Sequence, residues 1–179
     1  VELKDKIYFG EPIQDRFYNG FSEMETVVVQ FANKVAALRI ADLFVVAKGT
    51  ERMLSKEEDI WIKDIVDDMQ VTSRDGFDKV LQIVRRKVYE PLVRIEVGGR
   101  VTVVSSSHRI VVVSEGQERL EKAQNLNRGD QVLVSVEKAG VESQAITGVG
   151  VENERPLHLY GLVTVSGGAF VSGIFQKSY

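Results

Sequence analysis

The sequence of 179 residues contains no cysteine. Disulfides, thiolate metal sites and cysteine nucleophiles are therefore excluded from the chain as it stands. Histidine is nearly missing too: His108 and His158 are the only two, and they lie too far apart in sequence for a His-rich metal site. No single sign of charge dominates, with 23 Lys and Arg against 26 Asp and Glu and a net charge of −3. The positive charges are scattered, with no basic stripe and no basic patch interleaved with aromatics, so no nucleic-acid partner is expected. No apolar run approaches the roughly 18 residues a membrane-spanning helix needs. No metal and no cofactor is expected. The chain opens at Val1 rather than Met, which reads as a processed or excised segment; a removed signal peptide is compatible with that start.

What is present is an ordinary globular composition, 44% apolar, enough for one domain or one domain with an appendage. Residues 1 to 21 mix charge with Tyr8, Phe9, Phe17, Tyr18 and Phe21 and read as an irregular lead-in that docks through its aromatics. Ser22-Glu23-Met24-Glu25 fits a capping box, and Met24, Val28, Phe31, Val35 and Leu38 follow at helical spacing. A helix over about 23–40 is predicted, with a strand over Thr26 to Val29 as the competing reading. From Leu43 the pattern changes. Leu43-Phe44-Val45-Val46-Ala47 reads as a strand. Further short strands are expected at 60–62, 69–72, 80–85, 92–97, 101–104, 109–113, 131–136, 145–151, 159–165 and 170–175, with glycine turns such as Arg74-Asp75-Gly76, Gly98-Gly99, Glu115-Gly116, Ala139-Gly140 and Gly167-Gly168. The fold class is mainly β, with an N-terminal flank over 1–40 and a β domain over 41–179.

Chemistry concentrates in one stretch, Val101-Thr102-Val103-Val104-Ser105-Ser106-Ser107-His108-Arg109-Ile110-Val111-Val112-Val113. β-Branched runs on both sides read as strands. The block between them brings serine hydroxyls near an imidazole, the residue types that acyl transfer uses and also those of a plain hairpin end. Elsewhere the readings are structural. His158, after Pro156, is a surface residue at a strand entrance. Glu57-Glu58-Asp59 and Asp64, Asp67 and Asp68 lack the spacing of a calcium loop and read as solvated faces. Trp61 packs against the N-terminal helix. An internal echo, residues 62–71 against 121–132 with Ile65 on Leu126, suggests a pseudo-twofold fold built from a duplicated unit.

In their order these pieces resemble the Hint domain, the self-processing module of Hedgehog C-terminal regions and inteins. Ser105-Ser106-Ser107-His108 is similar to the family's Thr-x-x-His block, and Arg128-Gly129-Asp130-Gln131-Val132-Leu133 to its Gly-Asp turn and strand. Ile62 to Val71 resembles the first such block, with Asp68-Met69 where Gly-Asp is usual. The tail, Tyr160-Gly161-Leu162-Val163-Thr164 and then Gly168 to Tyr179, looks like the Hedgehog version of the ending. The resemblance covers residues 41–179.

It implies a Hint-like pseudo-twofold β-fold and an intramolecular acyl shift. The first residue of the module, Cys or less often Ser, attacks the preceding carbonyl, and the resulting thioester or ester is cleaved. His108 would be the general acid and Ser105 its hydrogen-bonding helper. The opening block falls on Leu43 to Thr50, which puts Leu43 at the attacking position, or Ala41 if the block shifts. Neither side chain has a lone pair. The chain would be inactive as given, its N-terminal flank the intramolecular substrate and sterol or water the acceptor only in an active form. A Hedgehog-like module also implies a secretory setting, with any sterol-binding region beyond residue 179. Splicing is not expected, because inteins finish in His-Asn and this chain ends Lys177-Ser178-Tyr179. The alternative is a degenerate Hint fold kept as a binding or structural module.

Overall fold

The computed structural model describes residues 20–136 and 140–177. The expected lead-in over 1–19, Ala139 and the terminal Ser178 and Tyr179 lie outside the described residues. Among these residues the chain is mainly β: an 11-stranded sheet and a 6-stranded sheet with one short α-helix, every strand pairing antiparallel. Most of the short strands stand where the alternation put them, among them Leu92–Val97, Arg109–Ser114 and Gln131–Val136.

The predicted helix over 23–40 is a β-hairpin instead, Thr26–Phe31 against Lys34–Arg39. Val27, Val28 and Val29 are stiff at χ1 and suit a pleated surface. Ala32 and Asn33 have φ of 42° and 70°, the left-handed pair that closes a two-residue hairpin. Val27 and Val29 are buried while Met24 and Val35 are exposed, which is a two-residue period and not a helical one. The capping-box residues form only a turn, in which Glu25 N–H donates to the Ser22 carbonyl at 3.0 Å.

The expected strand at Leu43 belongs to the helix Ile40–Val46. Ile40, Leu43 and Phe44 are buried and Val45 and Val46 exposed, so the apolar run splits over two faces of a single helical turn. The strands Gly49–Ser55, Gln117–Lys122 and Gly140–Ala145 were not expected, because their side chains are mostly polar and exposed. The last expected strand is two, Gly168–Val171 and Ile174–Lys177, turned at Ser172 and Gly173.

The chain does carry a repeat, but not in the register that set Ile65 on Leu126: it runs through the N-terminal hairpin. Each residue of the first unit matches the one 83 positions on: Thr26–Phe31 and Lys34–Arg39 match Arg109–Ser114 and Gln117–Lys122. The left-handed turn at Ala32-Asn33 matches Glu115-Gly116. The helix starting at Ile40 matches the 3-10 turn Ala123–Asn125. Backbone bonds repeat as well. Glu25 N–H to Ser22 O matches His108 N–H to Ser105 O, both 3.0 Å, and Ile40 N–H to Glu25 O matches Ala123 N–H to His108 O, both 2.8 Å. Leu43 and Leu126 are thereby equivalent, and both lie in the main core with Val104, Ile110 and Val132. The helix over 23–40 that Trp61 was expected to meet is not there: Trp61 packs against the main core, its indole donates to Asp59 and its ring lies 6.0 Å from the Arg85 guanidinium.

Candidate functional site

The strand Arg100–Ser105 delivers the three-serine turn into the protein interior, and His108 at its end is 1% exposed. Three backbone bonds clamp the turn: His108 N–H to Ser105 O, Ser106 N–H to Pro91 O at 2.9 Å and Gln124 N–H to Ser106 O at 2.9 Å.

Both ring nitrogens are engaged. The Gly20 N–H donates to His108 Nδ1 at 3.1 Å. Nε2 lies 2.9 Å from Gln176 Oε1. The amide nitrogen of Gln176 donates to Thr102 Oγ1 at 3.0 Å and to the Val171 carbonyl at 3.3 Å. An amide oxygen can only accept, so Nε2 carries the proton and Nδ1 offers its lone pair. Burial pushes the imidazole down to about 4, against the Gln176 hydrogen bond, which raises it, and with a further lowering from Arg86. At neutral pH His108 is uncharged and receives a hydrogen bond from Gly20.

Gly20 is held on its other side too, its carbonyl accepting Ser105 N–H at 2.8 Å. The next residue, Phe21, pairs with Val104 and Tyr160 and sets its ring edge-on to the imidazole at 6.1 Å. The structure thus brings two of the expected site residues, His108 and Ser105, onto one backbone segment. The Ser105 N–H is the donor to the Gly20 carbonyl, and its hydroxyl lies 3.2 Å from that of Ser107. Ala41 and Leu43 lie in the helix Ile40–Val46, Leu43 fully buried, and neither is a hydrogen-bond partner of His108.

Sequence reasoning missed Gly20, Gln176, Thr102 and Glu25. Glu25 is buried and accepts from Thr102 Oγ1 at 2.5 Å and Ser172 Oγ at 2.9 Å. Its carboxyl is pushed up to about 7 by burial, with the hydrogen bonds from Thr102, Ser172 and the Val103 backbone working the other way. The signal that could have found it is the repeat: Ser22-x-x-Glu25 stands 83 residues before Ser105-x-x-His108. Among the described residues no three His, Cys, Asp or Glu side chains group to hold a metal ion. The acidic stretch is spoken for in part, Asp64 by Arg52 and Gln82, Asp67 by the Lys48 N–H. His158 is partly buried and sets its ring edge-on to Tyr160.

The backbone is similar to that of several inteins. An intein from a hyperthermophile superposes with a TM-score of 0.79 at 13% identity, over 89% of this chain and 99% of that one. The transcription factor IIB Mvu mini-intein gives 0.74 at 16%, over 88% and 99%. The TvoVMA intein gives 0.73 at 20%, over 89% and 97%. The chain has the Hint fold. These likenesses are to inteins, and they support the Hint fold without singling out the Hedgehog type. No family model and no curated protein sequence matches the chain. No helix among the described residues is long and apolar enough to cross a membrane.

Proposed function

We propose that this chain is a Hint-type self-processing domain whose acyl-shift site is built around the Asn19–Gly20 peptide and which lacks the nucleophile, so that it is inactive as it stands. The observation that carries this reading is the hydrogen bond from Gly20 N–H to His108 Nδ1. In the acyl shift the bond that breaks is the one ending at the nitrogen of the nucleophilic residue, and the acid must reach that nitrogen. Here the nitrogen in reach of the imidazole is that of residue 20, which supports Gly20 as the attacking position in place of Leu43 or Ala41. Glycine has no side chain, hence no attacking atom.

The module on this reading begins near Gly20 and not near residue 41. Support comes from the inteins, which match 89% of the chain, more than residues 41–179 comprise. The flank it would release is the segment ahead of Gly20. At the other end, Gln176 stands beside His108, which favours an intein-like alignment of the tail, with Gln176-Lys177 where inteins carry His-Asn. Lys177 carries no carboxamide, so the Asn cyclisation step of splicing has no counterpart at that position. On the Hedgehog-like alignment the ester would pass to water or a sterol.

In the tautomer the structure holds, with the proton on Nε2, His108 enters as an acid only after taking a second proton. Its depressed titration makes it a hydrogen-bond acceptor at neutral pH, and proton delivery to the leaving nitrogen strengthens towards pH 4. The alternative, a degenerate Hint fold kept as a binding or structural module, is favoured by one observation: Gly20 and Gln176 between them satisfy both ring nitrogens. Gly20→Cys separates the two. With dithiothreitol present, the self-processing reading expects the intact mass to fall to two fragments parted at Asn19–Gly20. A folded Gly20→Cys chain that keeps its full mass would leave the binding or structural role.

A further inference from the structure

Glu25 and His108 are the two equivalent residues of the duplicated unit, and each takes a backbone N–H from the other unit's opening strand. His108 accepts from Gly20 and Glu25 accepts from Val103, again 83 residues on. Between them runs one line of side-chain hydrogen bonds. Thr102 Oγ1 donates to Glu25, Gln176 Nε2 donates to Thr102, and His108 Nε2 donates to Gln176 Oε1. Every donor along this line points away from Gly20 and towards the carboxylate.

We propose that Glu25 is a positioning residue that sets which ring nitrogen of His108 carries the proton, and so whether His108 accepts a hydrogen bond from the Gly20 N–H or turns an N–H of its own towards that nitrogen. A carboxylate can only accept. While charged, it fixes the Thr102 hydroxyl as donor, which leaves Thr102 to accept from the Gln176 amide, which turns Oε1 towards His108. The ring then holds its proton on Nε2. A neutral carboxyl carries an O–H of its own and can donate to Thr102. The hydroxyl is then free to turn towards Gln176, and the amide can reverse, giving up its bond to the Val171 carbonyl; Nε2 then accepts while Nδ1 holds the proton and gives up the Gly20 N–H. The inner members of the line are buried, Thr102 and His108 0% and 1% exposed and Gln176 2%, so water does not compete for them, while Glu25 at its end borders a pocket.

The charged groups around both ends are few. Arg94 faces Glu25 and is itself shared with Glu96 and Glu152. Glu23, Glu154 and Arg155 line the same pocket of about 440 Å³ that Glu25 borders. Arg86 acts on His108 and is paired with Glu90. Since Glu25 titrates near 7 and His108 near 4, there is an interval in which the carboxyl is neutral and the imidazole not yet charged.

The inference rests on the self-processing reading for its use but not for its test, which reads the ring directly and needs no cleavage. In the 15N-labelled chain, the two ring nitrogens of His108 are followed by NMR. Above the Glu25 titration Nδ1 is expected to give the unprotonated, pyridine-like signal alone. Between the two titrations the signals should move to a mixture of tautomers. Glu25→Gln and Thr102→Val are each expected to remove that step. A wild-type ring that keeps one tautomer across the interval overturns the proposal, as does a step that survives in either folded variant. A failure of Gly20→Cys to cleave would leave this result untouched.

Discussion

Glu25 and His108 stand at matching places of a duplicated unit and are joined through Thr102 and Gln176 by three consecutive hydrogen bonds. The two groups are displaced in opposite senses by the same cause, burial: the acid holds its proton up to about 7 and the base loses its proton down to about 4. Each displacement ties stability to pH.

For Glu25 the folded value lies above the ordinary 4.5. Between the two values the native state binds more protons than the unfolded one, so the carboxyl costs nothing below 4.5 and destabilises progressively as pH rises through 7. Glu25→Gln abolishes that dependence. Relative to wild type, its urea midpoint should climb over this window, by up to about 3 kcal/mol of stability at alkaline pH.

For His108 the folded value lies below the ordinary 6.5, and the sign is reversed in pH. Its contribution is intact above 6.5 and is lost as pH falls towards 4, because the unfolded state takes the proton first. His108→Gln should therefore close its stability gap to wild type as pH falls through that range. Urea titrations at paired pH values measure it.

Arg86 is 1% exposed and its guanidinium is paired with Glu90 and with the Lys87 carbonyl. Glu90→Gln removes a carboxylate partner from a buried cation and should cost up to about 3 kcal/mol. Replacing both partners with apolar residues, Arg86→Met with Glu90→Leu, should recover most of the loss. Chemical denaturation of the single and double variants gives both numbers.

Gly49 opens the strand Gly49–Ser55 opposite Ile65. A Cβ there would sit 2.1 Å from the Asp64 carbonyl oxygen, a main-chain atom that cannot swing aside. Gly49→Ala should destabilise by about 1–3 kcal/mol, while Gly99→Ala, with no atom within 4 Å of the added carbon but a φ of 85°, would report backbone strain alone. Thermal unfolding of the two compares a clash with a strained φ.

Much of the fold was legible because its strands are short, β-branched and punctuated by glycine. The serine-histidine turn was legible because Val101–Val104 and Ile110–Val113 announce strands on either side. The helix over 23–40 was misread since Met24, Val28, Phe31, Val35 and Leu38 fall at helical intervals by chance of a two-residue hairpin turn, which shifts the phase of one strand against the other. That reading also kept Gly20 out of the expected site, which was sought at Leu43 or Ala41. Gln176 and Glu25 were invisible as site residues because pairing across the duplicated units, and not local pattern, brings them to His108 and Thr102.

The direct test of a site centred on Gly20 is thiol-dependent cleavage of four chains, each carrying one Cys, at position 20, 41, 42 or 43, followed by intact mass with dithiothreitol. A Gly20-centred site predicts cleavage in Gly20→Cys alone, at Asn19–Gly20, faster at lower pH and lost in Gly20→Cys with His108→Ala. Gly20→Ala, folded and uncleaved, controls for the added Cβ. Cleavage at 41, 42 or 43, or a folded Gly20→Cys that stays whole, would contradict it.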